Sequence, residues 1–207
     1  MLTCIWVLAA AQRRQQILAR RFVGGAGVIR EEAIPTPLFH ESYVLSSGRV
    51  GGAALLAEQY QIIKDAYRAE GVPLANAHIT VNRFCHITDS KEDGLRFAEN
   101  ARYQSRLASS LRRRQEVMQG TVLVDKPFPD EPPLEQIYDD LLIGDVETVA
   151  EKLAAEIRAT DPAHMCFSFK VGATPHNAAL RSMKLMMSEV RPLVERALGP
   201  LARSAAE

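Results

Sequence analysis

The C-terminal third of the chain alternates between helix-type and strand-type patterns, and this alternation constrains the fold most. Asp145 stands at the N-cap position of an amphipathic helix. Its apolar stripe comprises Val146, Val149, Ala150, Leu153 and Ile157. The apolar run 165–171 predicts a strand, and Thr174-Pro175 predicts the cap and first residue of a final helix. We expect Pro192 to kink that helix and Gly199 to end it.

The rest of the chain repeats the alternation less regularly. Strand patterns cover 5–10, 23–29 and 78–88, and helix patterns cover 12–22, 52–70 and 90–111. Asp89 or Ser90 is expected to cap the last of these helices. Long loops are predicted at 30–50 and 112–133, where prolines and glycines interrupt any period. Strands that alternate with helices favour a mainly parallel sheet. We therefore expect a single α/β domain over residues 1–203.

Charge and cysteine usage restrict the class of protein. Lys plus Arg and Asp plus Glu are both 25, so no basic excess favours a nucleic-acid or anionic-membrane partner. The three cysteines, Cys4, Cys85 and Cys166, are far apart, which disfavours a disulfide framework or a structural zinc site. A cytoplasmic protein is the simplest interpretation. The apolar N-terminus lacks a basic n-region, so a buried strand is favoured over a signal peptide.

Several side chains are candidates for chemistry, each with a plainer alternative. His86, with Arg83 and Asn82, lies near the C-terminal end of a predicted strand and could act as a general acid or base, but a packed histidine is the favoured interpretation. Lys170 could point into a site or lie on the surface. The remaining candidates favour plain roles: a solvated helix end for Arg112-Arg113-Arg114, buried small side chains for Cys85 and Cys166, helix core for Met183, Met186 and Met187, and no metal at Asp139 and Asp140.

Two segments resemble the closing part of the bacterial luciferase-like flavin monooxygenase family. They are the helix start Ile143-Gly144-Asp145-(x)-Glu147-(x)-Val149 and the stretch Ser182-Met183-Lys184-Leu185 before Glu189-Val190-Arg191-Pro192. The resemblance is best from about Leu55 to Pro200 and extends to 5–10 and 25–29, which resemble the fifth and sixth strands of the family. The implied fold class is α/β, a partial (β/α)8 TIM barrel with about strands five to eight, their helices and a mainly parallel sheet.

The resemblance implies a flavin-dependent monooxygenase that acts on paired donors with incorporation of O2. Such enzymes hold reduced FMN, or a deazaflavin relative, at the C-terminal mouth of the barrel and oxygenate a small organic substrate; no metal is expected. The expected cofactor-binding residues are Ala10, Ala11, Gly27 and Val28. Relatives place a hydroxyl residue near the flavin phosphate, where this chain has Ala9, Ala10 and Ala11. Backbone amides could serve there instead, and Arg13 or Arg14 could supply charge. Relatives carry a mobile lid over the flavin where this chain has Arg112-Arg113-Arg114, so the triplet could be a lid cation cluster, although a solvated helix end is favoured. No catalytic residue is assigned.

The resemblance also predicts half a barrel, since the first four strands of the family have no counterpart. An open four-stranded parallel sheet leaves edges and one side of the core uncovered. We therefore expect a truncated member that binds FMN weakly or not at all on its own. The alternative is a non-catalytic remnant or partner subunit that associates with a complete barrel, as a homo- or heterodimer. A third option is an unrelated α/β binding domain.

Overall fold

A four-stranded parallel sheet organises the part of the chain that the computed structural model describes, residues 42–45, 51–69, 71, 73 and 78–201. The strands of this sheet are β1 (Ser42–Leu45), β2 (His78–Ile87), β5 (Leu142–Gly144) and β6 (His164–Ser168). A two-stranded antiparallel hairpin comprises β3 (Met118–Gln119) and β4 (Val122–Leu123). The helices are α1 (Gly52–Ala69), α2 (Lys91–Arg113), α3 (Leu134–Asp140), α4 (Val146–Thr160), α5 (His176–Leu185) and α6 (Arg191–Leu198), with a π-helical turn at Met186–Val190. The predicted α/β class with a mainly parallel sheet is confirmed.

Strand β2 is the hub of the sheet, because the other three strands all pair with it in parallel. Both β1 and β6 pair with Thr80 and Val81, so they lie on opposite edges of β2. The short strand β5 pairs only with the last three residues of β2, Cys85 to Ile87. Strand β2 therefore pairs with its third neighbouring strand, β5, only at its C-terminal end.

The two faces of β2 are covered by different helices. Successive strand side chains point to opposite faces, and Val81, Cys85 and Ile87 join a core with residues of α1, α4 and α6. Phe84 instead packs in a second core with Phe97 of α2. Helices α2 and α3 thus cover the face opposite to α1 and α4, whereas a closed barrel carries every helix outside. Four parallel strands with intervening helices agree with a partial barrel, and this two-sided cover is where the chain departs from a regular one.

Local sequence signals set the helix boundaries as predicted. The side chain of Ser90 accepts a hydrogen bond from the Asp93 amide, and that of Asp145 accepts one from the Thr148 amide, so both residues cap helices. Gly199 ends α6 with a positive φ of 86°. The π-helical turn ends at Val190, two residues before Pro192, whose ring removes one helical N–H. The predicted cap at Asp145 and the predicted helix end at Gly199 are confirmed, and the kink at Pro192 stays a prediction.

The final strand–helix connection differs from the prediction. Strand β6 ends at Ser168 rather than at residue 171, and α5 begins at His176 rather than at the proline. Pro175 occupies the cap position, and the hydroxyl of Thr174 donates to the Val171 carbonyl at 2.5 Å instead of capping the helix. The hydroxyl is used to close a turn after the strand, which explains why it does not serve the helix.

Both segments predicted as long loops contain regular structure. Strand β1 lies within 30–50, and α2 and the β3–β4 hairpin extend through 112–123. Strand β5 was not predicted either, although all three of its residues are buried. The strands predicted at 5–10 and 23–29 lie outside the described residues, and the single domain over 1–203 stays a prediction. Within the described part, no helix is both long and apolar enough to cross a bilayer.

Candidate functional site at the carboxyl ends of the strands

The carboxyl ends of β2 and β5 form the candidate site, since parallel α/β folds build their sites from the segments that follow the strands. The amide of Thr88 donates to the carbonyl of Gly144 at 2.8 Å, so the two strands leave the sheet side by side. Helix α2 begins four residues after β2 ends, and α4 begins two residues after β5 ends at Gly144. Two helix N-termini therefore face the same end of the sheet.

A histidine–carboxylate pair lies at this end. The Nε2 atom of His86 is 2.9 Å from Oδ2 of Asp93, and its ring stacks on Phe97 at a centroid distance of 4.7 Å. His86 is 1% exposed, and its Nδ1 atom is buried without a hydrogen-bond partner among the residues described. The carboxylate fixes the ring orientation as in a catalytic dyad, but solvent does not reach the ring. The packed, hydrogen-bonded histidine favoured from the sequence is what the structure contains.

Asp93 connects this histidine to the surface. Its carboxylate also approaches Arg96 at 3.2 Å and Arg181 at 3.5 Å. Burial raises the pKa of Asp93, but hydrogen bonds from His86, Thr88 and Arg96 outweigh it, so the net pKa is lowered. The aspartate is therefore ionised at neutral pH and ties α2 to α5.

The stretch Arg181-Ser182 holds α5 against the end of β2. Ser182 is fully buried, and its Oγ accepts the backbone N–H of Ile87 at 3.0 Å. The buried amide of Ile87, the last residue of β2, thereby has a hydrogen-bond acceptor from a side chain. Arg181, its neighbour in the sequence, pairs with Asp93. The segment that resembles the family motif thus positions a helix at the carboxyl end of the sheet.

Gly144 belongs to the other segment that resembles the family, the helix start at Ile143–Val149, and steric contacts require a glycine at this position. Its φ is +142°, and a Cβ at this position would lie 2.8 Å from Cγ2 of Thr148. The glycine lets the chain turn directly from β5 into α4, where Asp145 accepts the Thr148 amide at 2.8 Å. Its capping bonds to Thr148 lower the pKa of Asp145. The turn brings the N-terminus of α4 to the same edge as the His86–Asp93 pair.

A second polar cluster lies on the opposite face of β2, against α4. Arg83 Nη2 is 2.9 Å from Oε1 of Glu156, and the two side chains are 1% and 2% exposed. Burial raises the pKa of Glu156 to about 7, although Arg83 and Lys152 both lower it. Arg83 and His86 are only three residues apart in β2. Because successive strand side chains alternate between the two faces of the sheet, Arg83 and His86 lie on opposite faces. Arg83 is therefore a buried structural cation and not part of the carboxyl-end site.

Lys152 connects the same helix to the segment around β5. Its Nζ donates to the carbonyls of Tyr138, Leu141 and Ile143 at 3.3, 3.0 and 3.1 Å. These carbonyls belong to the end of α3 and to β5, where regular partners are lacking. Burial is the main cause that lowers the pKa of Lys152. The lysine thereby fixes the turn before α4 and leaves no donor directed at the site.

The other candidates take plain roles. Cys85 is fully buried, and burial raises its thiol pKa, so it is an unreactive core side chain. Lys170 is exposed and donates to the carbonyl of Thr174 in its own loop. Met186 is buried as expected, but Met187 is 46% exposed, which corrects its assignment to the core. The cofactor-binding residues predicted from the resemblance, Ala10, Ala11, Gly27 and Val28, lie outside the described residues.

The arginine triplet and the aspartate pair also have defined places. Arg112 and Arg113 form the last turn of α2, and Arg114 is its C-cap at φ 53°. About 30 Å of helix separates Arg113 from Asp93, at 1.5 Å per residue. The triplet is thus far from the carboxyl ends of the strands and does not form a lid there. Asp140 accepts the Gly51 amide at 2.7 Å, and no cluster of three or more metal-ligating side chains occurs in the described ranges.

Sequence reasoning missed Asp93, Arg181 and Ser182 as site residues. The available signal was polar side chains within helices that are otherwise apolar on their buried side: Ser182 lies between Ala179 and Met186, both of which are core residues. Asp93 also follows its cap, Ser90, by three residues, a position that usually serves only the helix end. Their shared role became visible only when α5 and α2 met at β2.

Comparison with known proteins gives two partial matches. No family model matches the sequence. An uncharacterized protein, y4vJ, from Sinorhizobium fredii (strain NBRC 101917 / NGR234) is 27% identical over 139 residues, which are 67% of this chain and 40% of that protein. A solved type II Baeyer-Villiger monooxygenase, the oxygenating constituent of 3,6-diketocamphane monooxygenase from the CAM plasmid of Pseudomonas putida, in complex with FMN, is 16% identical. It matches 74% of this chain and 42% of its own at a TM-score of 0.41. The chain thus spans about two-fifths of the length of either protein.

Proposed function

We propose that this chain carries the C-terminal half of a luciferase-like, flavin-dependent oxidoreductase and by itself binds flavin weakly or not at all. The cofactor would be FMN or a deazaflavin, and the substrate a small organic molecule. Bound reduced flavin would supply the electrons with which such enzymes activate O2. The residues of this chain would contribute the frame of the mouth, and the other half of the barrel would contribute the remaining wall.

The proposal rests on one observation: both motif segments meet at the carboxyl end of β2. Gly144 brings the start of α4 to Thr88, and Ser182 brings α5 to the Ile87 amide. The motifs therefore frame the edge of a parallel sheet where α/β proteins bind ligands. The sequence relative from Sinorhizobium fredii, of which the chain spans 40%, is long enough to contain a further half.

The described residues do not by themselves fit a flavin. The face of β2 that would line a barrel interior packs against α2 through Phe84, and His86 stacks on Phe97 on the same side. Arg96 and Arg181 are 62% and 54% exposed and offer charge at the rim, without an enclosing wall. We therefore expect the isolated chain to hold FMN weakly or not at all.

A fluorescence titration tests the second part of the proposal. Purified chain is added to a fixed micromolar concentration of FMN, and quenching of flavin emission is recorded. The expected result is no saturable quenching in the micromolar range. Stoichiometric quenching at micromolar protein would show that this chain forms a complete flavin site and would overturn the half-barrel reasoning.

A chimera tests the family assignment separately. The matching 40% of the Sinorhizobium fredii relative is replaced by this chain, and FMN binding is compared with that of the intact relative. We expect both proteins to bind FMN, because the frame of the mouth is present in each. Binding by the relative alone would refute our assignment of the frame to this chain, and failure of the relative itself would refute the flavin assignment.

The second candidate function is a non-catalytic partner subunit. It is favoured by apolar side chains that are exposed around the hairpin, namely Leu111, Val117, Met118 and Val122, at 55%, 38%, 56% and 61%. Exposed apolar groups of this kind are typical of association surfaces. Sedimentation velocity over a range of concentrations measures this directly. A single monomeric species throughout would exclude self-association and leave only a hetero-partner, to be tested with a complete barrel protein.

A further inference from the structure

We infer that a groove at the C-terminal end of α2 is a binding site for a small aromatic carboxylate, independent of any flavin chemistry. The groove has a volume of about 410 Å³ and lies between the last turns of α2 and the segment 126–129. Ligand sites typically enclose between about 300 and 1,000 Å³. About 30 Å of helix separates it from the His86–Asp93 pair, so it is distinct from the candidate flavin mouth.

Flat apolar groups form part of the groove. Phe128 is half-buried, and Pro127 and Pro129 flank it on the same segment. The guanidinium carbon of Arg113 lies 5.9 Å from the centroid of the Phe128 ring. An aromatic body can stack on such surfaces and remain beside the cation. The shape and polarity thus favour a planar ligand with a charged end.

The charge of the groove favours an anion. Arg113 and Lys126 line it, and neither takes part in an ion pair within the described portion of the chain. Glu116 also lines the groove and offsets one of these two charges. The carbonyls of Ser110 and Leu111, at the negative end of the helix, already accept the amides of Gln115 and Arg114 at 3.0 and 3.2 Å. A single carboxylate therefore matches the remaining positive charge.

Ion pairs behind the groove hold its two walls in place. Arg106 of α2 donates to both carboxylate oxygens of Glu131 at 2.8 and 2.6 Å, and to Asp125 at 3.1 Å. These carboxylates flank the segment that carries Lys126 and Phe128. The bidentate geometry lowers the pKa of Glu131, so the clamp is ionised at neutral pH. The groove is preformed, which reduces the entropy lost when a ligand binds.

The hydroxyl-bearing residues Ser109 and Ser110 complete the floor. They are only 4% and 8% exposed, although they lie in the last turns of a helix whose neighbouring residues are open to solvent. Small side chains at these two positions leave the space that a larger residue would fill. We therefore expect Ser109→Leu, which fills this floor, to abolish binding without a change of charge.

Binding is tested with 2-naphthoate by ligand-observed NMR on the full chain, with neutral 2-naphthamide as the matched ligand. For a ligand of this size in an open groove we expect a dissociation constant of about 1 mM. Arg113→Gln and Lys126→Gln should each weaken naphthoate binding about fivefold, since each removes one partly exposed charge contact. Arg112→Gln removes an adjacent arginine that does not line the groove and should leave the affinity unchanged.

Glu116→Gln provides a test that misfolding cannot imitate, because it should strengthen naphthoate binding about threefold by removing the opposing charge. Added salt should weaken naphthoate binding and leave naphthamide unaffected. The inference is overturned by any of three results: no saturable naphthoate binding up to about ten times the expected dissociation constant, equal affinity for naphthamide, or equal losses in Arg112→Gln and Arg113→Gln.

Discussion

Replacing Glu156 by glutamine should stabilise the protein above neutral pH, although it breaks a buried ion pair. The pKa of Glu156 is raised from 4.5 to about 7 because burial outweighs the attraction of Arg83 and Lys152. At about 1.4 kcal/mol per pH unit, this difference corresponds to about 3 kcal/mol. Burying the carboxyl group therefore costs less free energy when it is protonated than when it is ionised. The side-chain amide of glutamine has the same size and can still accept a hydrogen bond from Arg83.

The sign follows from proton binding. Between about pH 4.5 and 7 the folded state keeps the proton on Glu156 while the unfolded state loses it. The contribution of Glu156 to stability is therefore fully present below its unfolded-state pKa of 4.5 and is lost as the pH rises through its folded-state pKa of about 7. The variant lacks this titration, so the difference in unfolding free energy between variant and wild type should grow across the same window.

Urea unfolding at several values between about pH 5 and 8 measures this difference. We expect near-equal stability at the acid end and an advantage of about 3 kcal/mol for Glu156→Gln at the alkaline end. Glu151→Gln is the matched control, because it removes a carboxylate from an exposed position on the same helix. A pH-independent loss of about 3 to 5 kcal/mol in Glu156→Gln would show that the ionised pair stabilises the fold and would refute the reasoning.

Three further predictions concern the carboxyl-end site. Ser182→Ala leaves the buried amide of Ile87 without its acceptor and should lower the unfolding free energy by about 1 to 3 kcal/mol in urea titrations; a loss within error would contradict the role of this bond. Gly144→Ala should lower the unfolding free energy by at least about 1 to 3 kcal/mol because of the positive φ at this position. Adding Thr148→Ser to this variant removes the clashing Cγ2 and should restore only the steric part of the loss; full recovery of the wild-type stability would refute the backbone argument. Asp93→Asn removes a carboxylate of lowered pKa, whose stabilisation is lost as the pH falls, so the variant should show a flatter acid limb in stability measured against pH; an unchanged limb would exclude this linkage.

Capping residues and apolar periodicity predicted the helices well, but such local patterns do not predict which strands pair across the sheet. The caps Ser90 and Asp145 act through amides three residues away, so the sequence located Asp145 and narrowed the other cap to Asp89 or Ser90. Strand β5 has three residues and exists because β2 offers it an edge, which no local pattern records. The hub role of β2 likewise depends on partners as far as 84 residues away along the chain, since Thr80 pairs with His164.

The candidate site was predicted only in part for the same reason. The parallel class predicts a site at the carboxyl end of the sheet, and that site stays a prediction, whereas the expected position of His86 near the C-terminal end of its strand is confirmed. Its carboxylate partner is seven residues away, but Arg181 is separated from Asp93 by 88 positions. Arg83 was grouped with His86 by proximity in the sequence, whereas strand alternation places the two on opposite faces. The groove near Phe128 arises where a loop folds back on a helix, so no periodic pattern marks it.

The packing of α2 and α3 over one face of the sheet has a kinetic consequence. A second polypeptide that completed a cylinder around β2 would need the space now filled by Phe97 and Ile137. Those helices would first have to swing outward and give up a buried core. Assembly would then proceed through a rare opened form, so the observed association rate should reach a plateau at high partner concentration, set by the opening step alone.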